Sequence, residues 1–255
     1  MKWPEYIVLV RHDVSAYNQL KITRTSNPDY QKFLEYFEKD PICSKTKAMA
    51  EEMGKIYSLS QGDHDTPLAN EGVQAKKVGE NLKKELELPD VIYLSPYLRT
   101  RETLKKLIEG WPELADVKVV EDERIREQEH GLATIFNDWK VFYTLYPEQK
   151  KLHDLSGDYW YRWPQGENVP DVRLRIRSWL DTLVRDYSEQ KVLVVTHHLT
   201  ILSLRAALER LSADDFIELN ENNKPLNAGV TIYRGDPKKG KDGKLILESY
   251  NKKLY

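Results

Sequence analysis

The chain is poor in cysteine, in long apolar runs and in net charge, and each shortage removes a class of function. One cysteine, Cys43, stands among 255 residues, so no disulfide closes within the chain and no multi-cysteine metal site can be built. A lone thiol of this kind fits a reducing compartment. No stretch approaches the roughly 20 apolar residues of a membrane span, and the N-terminal run is too short for a signal peptide. Together these features set the expectation of a soluble cytoplasmic protein. Lys and Arg number 39 against 41 Asp and Glu, a formal net charge of -2. That balance offers no global field for nucleic acid or an anionic membrane surface, and neither is expected as a partner. Asp63-His64-Asp65 invites a metal reading together with His197 and His198. No His-x-His or Glu-x-x-His spacing stands beside it, and no metal is expected.

Three short apolar runs stand out, each ending in polar residues. Tyr6-Ile7-Val8-Leu9-Val10 passes into Arg11-His12-Asp13-Val14-Ser15. Val91-Ile92-Tyr93-Leu94 passes into Ser95-Pro96-Tyr97-Leu98-Arg99, and Val192-Leu193-Val194-Val195 into Thr196-His197-His198. Runs this short and β-branched read as strands buried on both faces. In an open α/β sheet, ligands bind in the crevice outside the carboxyl ends of the strands. Three such ends would bring two histidines and two arginines into one crevice, an anion site containing a nucleophile.

Helical patterns alternate with the strands. Asn27-Pro28-Asp29 reads as the start of a helix carrying Tyr30, Phe33, Leu34 and Phe37 on one face, and a second helix is expected from Ser44 to Leu59. Thr66 to Gly72 opens a helix with Val78, Leu82 and Leu86 as its buried stripe. Ser95-Pro96 fits an N-cap followed by proline at the first helical position. One helix is expected from Trp139 to Leu152, another from Val169 to Tyr187 and a third from Leu199 to Leu211. Val117 to Val120, Gly229 to Tyr233 and Leu245 to Tyr250 complete the strands. The expected fold is α/β, a three-layer sandwich whose mostly parallel central sheet is flanked by helices. One domain over 1–255 is expected, with helical cap insertions near 19–65 and 133–164.

Leu9-Val10-Arg11-His12, followed by Ser15 and Asn18, resembles the signature of the histidine phosphatase superfamily, the phosphoglycerate mutase-like proteins. The likeness continues through Thr66-Pro67-Leu68-x-x-x-Gly72-x-Gln74-Ala75, Ser95-Pro96-x-x-Arg99-x-x-x-Thr103 and Glu127 with Gly131. Gly166-Glu167-Asn168, Val194-Val195-Thr196-His197 and the late Asn227 extend it over most of the chain. The resemblance implies His12 as nucleophile, Arg11, Asn18 and Arg99 as phosphate contacts, His197 as stabiliser of the transferring group and Glu127 as proton donor. His198 either starts a helix or lines the phosphate site, and Glu129 competes as the acid. The aromatic run Tyr159 to Trp163 reads as lid or core packing.

The chemistry suits those residue types. A phosphoryl group spreads charge over its oxygens, so catalysis of its transfer rests on positioning and charge stabilisation. Arginine matches that geometry with a planar fork of donors. A neutral imidazole attacks phosphorus and splits one displacement into two. The implied activity is a metal-independent hydrolase of phosphoric monoesters, of the histidine acid phosphatase type, acting through a phosphohistidine on a small phosphorylated metabolite without a cofactor. The alternatives are a mutase returning the phosphoryl group to a bound intermediate, or a weakly active phosphate-binding module. Against the mutase, no Phe-x-Gly-Trp segment follows the first motif, and Glu127 precedes Gln128-Glu129-His130 where mutases carry Arg-His-Tyr. Asp13 stands where the family usually has glycine, which puts a carboxylate beside an anion site. Oligomeric state is open, a homodimer included.

Overall fold

A computed structural model describes residues 1–255. In chain order its elements are β1 (Tyr6–Arg11), α1 (Ala16–Thr25), α2 (Pro28–Lys39), α3 (Ser44–Tyr57), α4 (Val73–Glu85), β2 (Val91–Leu94), α5 (Leu98–Gly110) and β3 (Lys118–Glu121). Then follow α6 (Trp139–Leu145), α7 (Pro147–Trp160), α8 (Val169–Asp186), β4 (Lys191–Thr196), α9 (His198–Glu209), α10 (Ala213–Asn222), β5 (Val230–Asp236) and β6 (Lys244–Lys252). The chain divides into two compact units. Unit 1 takes Met1–Ser15, Pro67–Glu127 and Asp171–Tyr255, and unit 2 takes Ala16–Thr66 and Gln128–Pro170.

Unit 1 is built on one sheet of order β3-β2-β4-β1-β5-β6. The first four strands along that order are parallel, and β5 and β6 are antiparallel additions. Side chains alternate across β1 as the strand period requires. Tyr6, Val8 and Val10 pack with Val78 and Leu82 of α4 and Leu104 and Leu107 of α5. Ile7 and Leu9 face the other layer, with Val172, Ile176 and Trp179 of α8 and Ile201 and Leu204 of α9. The result is a three-layer α/β sandwich. Truncating Leu82 or Leu107, both wholly buried, should cost about 2–5 kcal/mol through lost contacts and the cavity left behind. α4 and α5 approach so closely that a Cβ on Gly79 would sit 2.3 Å from the Leu107 carbonyl, and one on Gly110 2.1 Å from that of Lys76. Only glycine fits at that crossing.

Unit 2 is helical and aromatic. Pro28 opens α2 behind Asn27, whose side chain accepts from the amides of Asp29 and Tyr30. Tyr30, Phe33 and Phe37 pack with Met53 and Tyr57 of α3 and Phe142 of α6. Tyr143 stacks on Trp163 at 5.9 Å. One charge pair lies inside this core: Arg24 Nε is 3.2 Å from Asp138 Oδ2. Tyr30 donates its hydroxyl to the same oxygen at 2.5 Å, and Arg24 also donates to the Asn137 carbonyl. With that much hydrogen bonding the buried pair is compensated, and removing one partner would leave an uncompensated charge.

Several sequence expectations change in the structure. Asn70 and Glu71 have positive φ, so α4 starts only at Val73, and Leu86 lies past its end as an extended cap residue. Ser95 is not an N-cap; that position falls on Tyr97, which makes no side-chain cap bond. The helix expected over Trp139 to Leu152 breaks at Tyr146, because Pro147 cannot continue α6 and instead opens α7. Tyr159 and Trp160 are drawn into the end of α7. α1 starts ahead of the first helix start read in the 19–65 insertion, at Asn27, and α10 has no counterpart in the sequence reading. No helix is long and apolar enough to cross a membrane.

Candidate active site

β1 and β4 lie side by side in parallel with Arg11 paired to Thr196. The next residue of each strand is a histidine, so register alone delivers His12 and His197 together. Their ring centroids are 5.2 Å apart, tilted by 59°. The His12 amide donates to the Thr196 carbonyl at 2.9 Å, which extends the ladder one residue beyond the strand. β2 flanks β4 and brings Ser95 to the same end, its amide donating to the Val195 carbonyl at 3.1 Å.

His12 is 3% exposed, and its Nδ1 lies 2.7 Å from the Asp13 carbonyl oxygen. A carbonyl only accepts, so Nδ1 carries the proton and Nε2 of the neutral ring presents a lone pair. Burial holds the His12 pKa well below the ordinary imidazole value, with the Arg99 and Arg11 cations adding to the shift. The ring is thus neutral over the physiological range. Asn227 fixes the same turn by donating Nδ2 to the His12 carbonyl at 3.1 Å and to that of Asp13 at 3.3 Å.

His197 is wholly buried, and it too is held well below its ordinary value by burial and then by Arg99. Its Nε2 meets Ser95 Oγ at 2.7 Å, while Nδ1 has no hydrogen-bond partner within the protein. Tyr97 packs edge-on against the His197 ring at 5.0 Å, and the Arg99 guanidinium sits 4.8 Å over the Tyr97 ring. Burial pulls Arg11 down to about 10, with Glu127 opposing the shift; it remains a cation at neutral pH. Arg11 donates to the Pro225 carbonyl at 2.7 Å. The pocket therefore joins two neutral imidazoles to two cations.

The loop after β3 carries Glu127. Arg175 of α8 donates to the carbonyls of Arg124 (2.7 Å), Arg126 (2.8 Å) and Glu127 (3.1 Å). Thr196 and Thr200 donate to the carbonyls of Ile125 and Arg126. The Glu127 carboxylate accepts from the amides of His198 at 3.1 Å and Leu199 at 3.0 Å, at the N-terminus of α9. His198 is the first residue of that helix.

Arg11, His12, Arg99, Glu127, His197 and His198 all belong to unit 1. Asn18 lies in α1, within unit 2, and Glu129 and the aromatic run at Tyr159 to Trp163 are also in unit 2. Asp63, His64 and Asp65 form a short 3₁₀ turn, and no group of three His, Cys, Asp or Glu side chains is arranged to hold a metal ion. Sequence reasoning missed Ser95 as a histidine partner and Arg175, and it quoted Thr103 in the second arginine motif without giving it a role. Thr103 stands four residues after Arg99, one helical turn on, and its Oγ1 donates to the Arg99 carbonyl at 2.7 Å.

Comparison with known proteins places this geometry in a family. The chain is 29% identical over 211 residues to the phosphoglycerate mutase-like protein AT74H of Arabidopsis thaliana, covering 77% of this chain and 63% of that one. It therefore spans less than two thirds of that relative's length. It is 25% identical over 166 residues to a 2,3-bisphosphoglycerate-dependent phosphoglycerate mutase of Parvibaculum lavamentivorans, covering 64% of this chain and 78% of that one. The fold matches a mycobacterial glucosyl-3-phosphoglycerate phosphatase at a TM-score of 0.63, with 22% identity, over 97% of this chain and 99% of the other. The model of the histidine phosphatase superfamily, branch 1, matches residues 51–241, and the chain belongs to that superfamily.

Proposed function

We propose that the protein is a phosphomonoesterase of the histidine acid phosphatase type, acting through a phosphohistidine on a small phosphorylated metabolite. One observation carries the reading: a buried neutral imidazole whose Nδ1–H is spent on a backbone carbonyl, which leaves the lone pair on Nε2, and whose protonation Arg99 and Arg11 disfavour. Nε2 attacks phosphorus, the P–O bond to the substrate breaks, and the leaving alkoxide takes a proton from the Glu127 carboxyl. Water then attacks phosphorus, gives a proton to the Glu127 carboxylate and releases phosphate, which restores His12. Arg11 and Arg99 hold the transferring oxygens, with His197 and His198 completing the set.

Substrate choice is assigned to the inserted segments 19–65 and 133–164. Their support is connectivity, since unit 2 begins right after Ser15 and again right after Glu127. A cytoplasmic location belongs to the same proposal and is supported by the single thiol. The second reading, a mutase, is favoured by the names of the relatives and opposed by the missing Phe-x-Gly-Trp segment. Incubation with an aryl phosphate and a panel of phosphorylated metabolites separates the two. Phosphate release with a trapped phosphohistidine is expected; an isomerised phosphoglycerate without net release would establish the mutase, and neither product would end both.

A further inference from the structure

Asp13 is the one acidic side chain next to the nucleophile, and a carboxylate there should weaken binding of an anion. The structure turns it elsewhere. Asp13 is 2% exposed; its Oδ2 accepts from the Ala75 amide at 2.8 Å and its Oδ1 from the Val14 amide at 2.7 Å. Ala75 is the third residue of α4, so its amide is one of the four that the helix leaves unpaired, and the helix dipole favours an anion at that place. The Asp13 amide donates to Thr103 Oγ1 at 3.0 Å, and Thr103 in turn donates to the Arg99 carbonyl. The Asp13 carbonyl takes His12 Nδ1–H and Asn227 Nδ2. Every polar group of this residue is used, and its Oδ2, amide and carbonyl tie the turn after β1 to α4, to α5 and to Asn227.

We propose that Asp13 is a positioning residue: its carboxylate pins the peptide whose carbonyl orients the His12 ring, by anchoring the turn to the start of α4. Without that anchor the turn is held only by Asn227 and by the Asp13 amide on Thr103, and the ring gains freedom about the bond that aims Nε2. Misplacement of a reacting group by about 1 Å can cost on the order of 10²-fold in rate. The carboxylate is thereby a support for catalysis and not a burden on phosphate binding.

The test compares wild type with Asp13→Gly and Asp13→Asn, measuring burst and steady-state kinetics with an aryl phosphate, and binding of inorganic phosphate to the same samples. Asparagine keeps the shape but can satisfy only one of the two amides with its oxygen. The expected result is a kcat lower by about 10-fold in Asp13→Asn and by ~10²-fold in Asp13→Gly, carried by a slower burst, with phosphate affinity changed less than about 3-fold. Phosphate binding in each sample also reports that the pocket is folded. Unchanged or faster turnover with tighter phosphate binding would overturn the proposal and make Asp13 a repulsive charge. Loss of phosphate binding in step with turnover in both variants would overturn it in favour of a general role in the fold. The inference rests on His12 being the nucleophile; a wild-type enzyme that forms no phosphohistidine defeats that reading, whereas variants indistinguishable from an active wild type defeat only this one.

Discussion

The carboxyl ends of β1 and β4 each present a buried neutral histidine, yet they hold it in different ways. At the end of β1, His12 gives its Nδ1 proton to a peptide carbonyl, a partner that only accepts. Its tautomer is fixed, and the free nitrogen is a lone pair. At the end of β4, His197 meets a serine hydroxyl, which can donate or accept. Its tautomer follows whatever its Nδ1 encounters. When Ser95 donates to Nε2, Nδ1 carries a proton and can give it to a phosphoryl oxygen. The lesson is that two like residues at equivalent strand ends are assigned opposite roles by the partner of one ring nitrogen. On the proposed mechanism His12 attacks and His197 donates.

The most drastic way to break this comparison is to delete each ring in turn. His12→Ala should abolish phosphohistidine formation and bring turnover to background. His197→Ala should still form the phosphoenzyme, with kcat lower by about 10²–10³-fold, the scale for losing one donor to a developing charge. Acid quench with labelled substrate reads both. Phosphohistidine in His12→Ala but none in His197→Ala would reverse the assignment.

Glu127→Gln comes next, with turnover of an alkyl phosphate expected to fall by about 10²–10⁴-fold. The loss should be much smaller with an aryl phosphate, whose leaving group needs no proton. Glu127 meets α9 through two amides, so a purely capping role predicts instead the same loss for both substrates and a lowered melting temperature. The ratio of the two losses decides between acid and cap.

Much of this frame is legible in the sequence. The runs Tyr6 to Val10, Val91 to Leu94 and Val192 to Val195 show their burial on both faces as unbroken apolar residues, and all three are strands of the central sheet. What the sequence hides is long-range pairing. Asp13 meets Ala75 62 positions away, and Ser95 meets His197 at a separation of 102; no local pattern records either. Ser95-Pro96 looks like a helix start because a buried serine bonded to a remote ring has the same local signature as an N-cap. α10 is a different case, since Ser212 and Asp215 form a reciprocal capping box that was available to read. α1 offers no comparable signal: it has no acidic residue in its first turn and buries only Arg24.

Arg99 acts on both rings, so its removal sharpens the contrast through pH. Burial and the two cations disfavour the imidazolium of His12. The neutral, competent form therefore persists as pH falls through 6.5, and the acid limb of kcat/KM attributable to His12 lies below that value. Arg99→Met removes a like charge, which lets the His12 pKa rise. The acid limb should move to higher pH, beside a loss of roughly 10²-fold if Arg99 holds the transferring oxygens. A limb that stays fixed, or moves to lower pH, would show that Arg99 does not govern the nucleophile's protonation.

The smallest effect tests the adjustable side of the comparison. Ser95→Ala removes the hydroxyl and leaves His197 Nε2 without its partner inside a fully buried ring. If Ser95 serves to keep the proton on Nδ1, the ring can then adopt either tautomer, and only one of them donates to the phosphoryl oxygen. Turnover should fall by about 3–10-fold, since the cost is that of populating one of two close tautomers and one hydrogen bond is worth about 1 kcal/mol. The fall should appear in kcat more than in KM, because the bond strengthens as charge develops on the oxygen. Ser95→Thr restores the hydroxyl and should recover most of the rate. A threonine no better than alanine would mean that Ser95 matters for its packing between β2 and β4, and the two strand ends would then differ only in the carbonyl that holds His12.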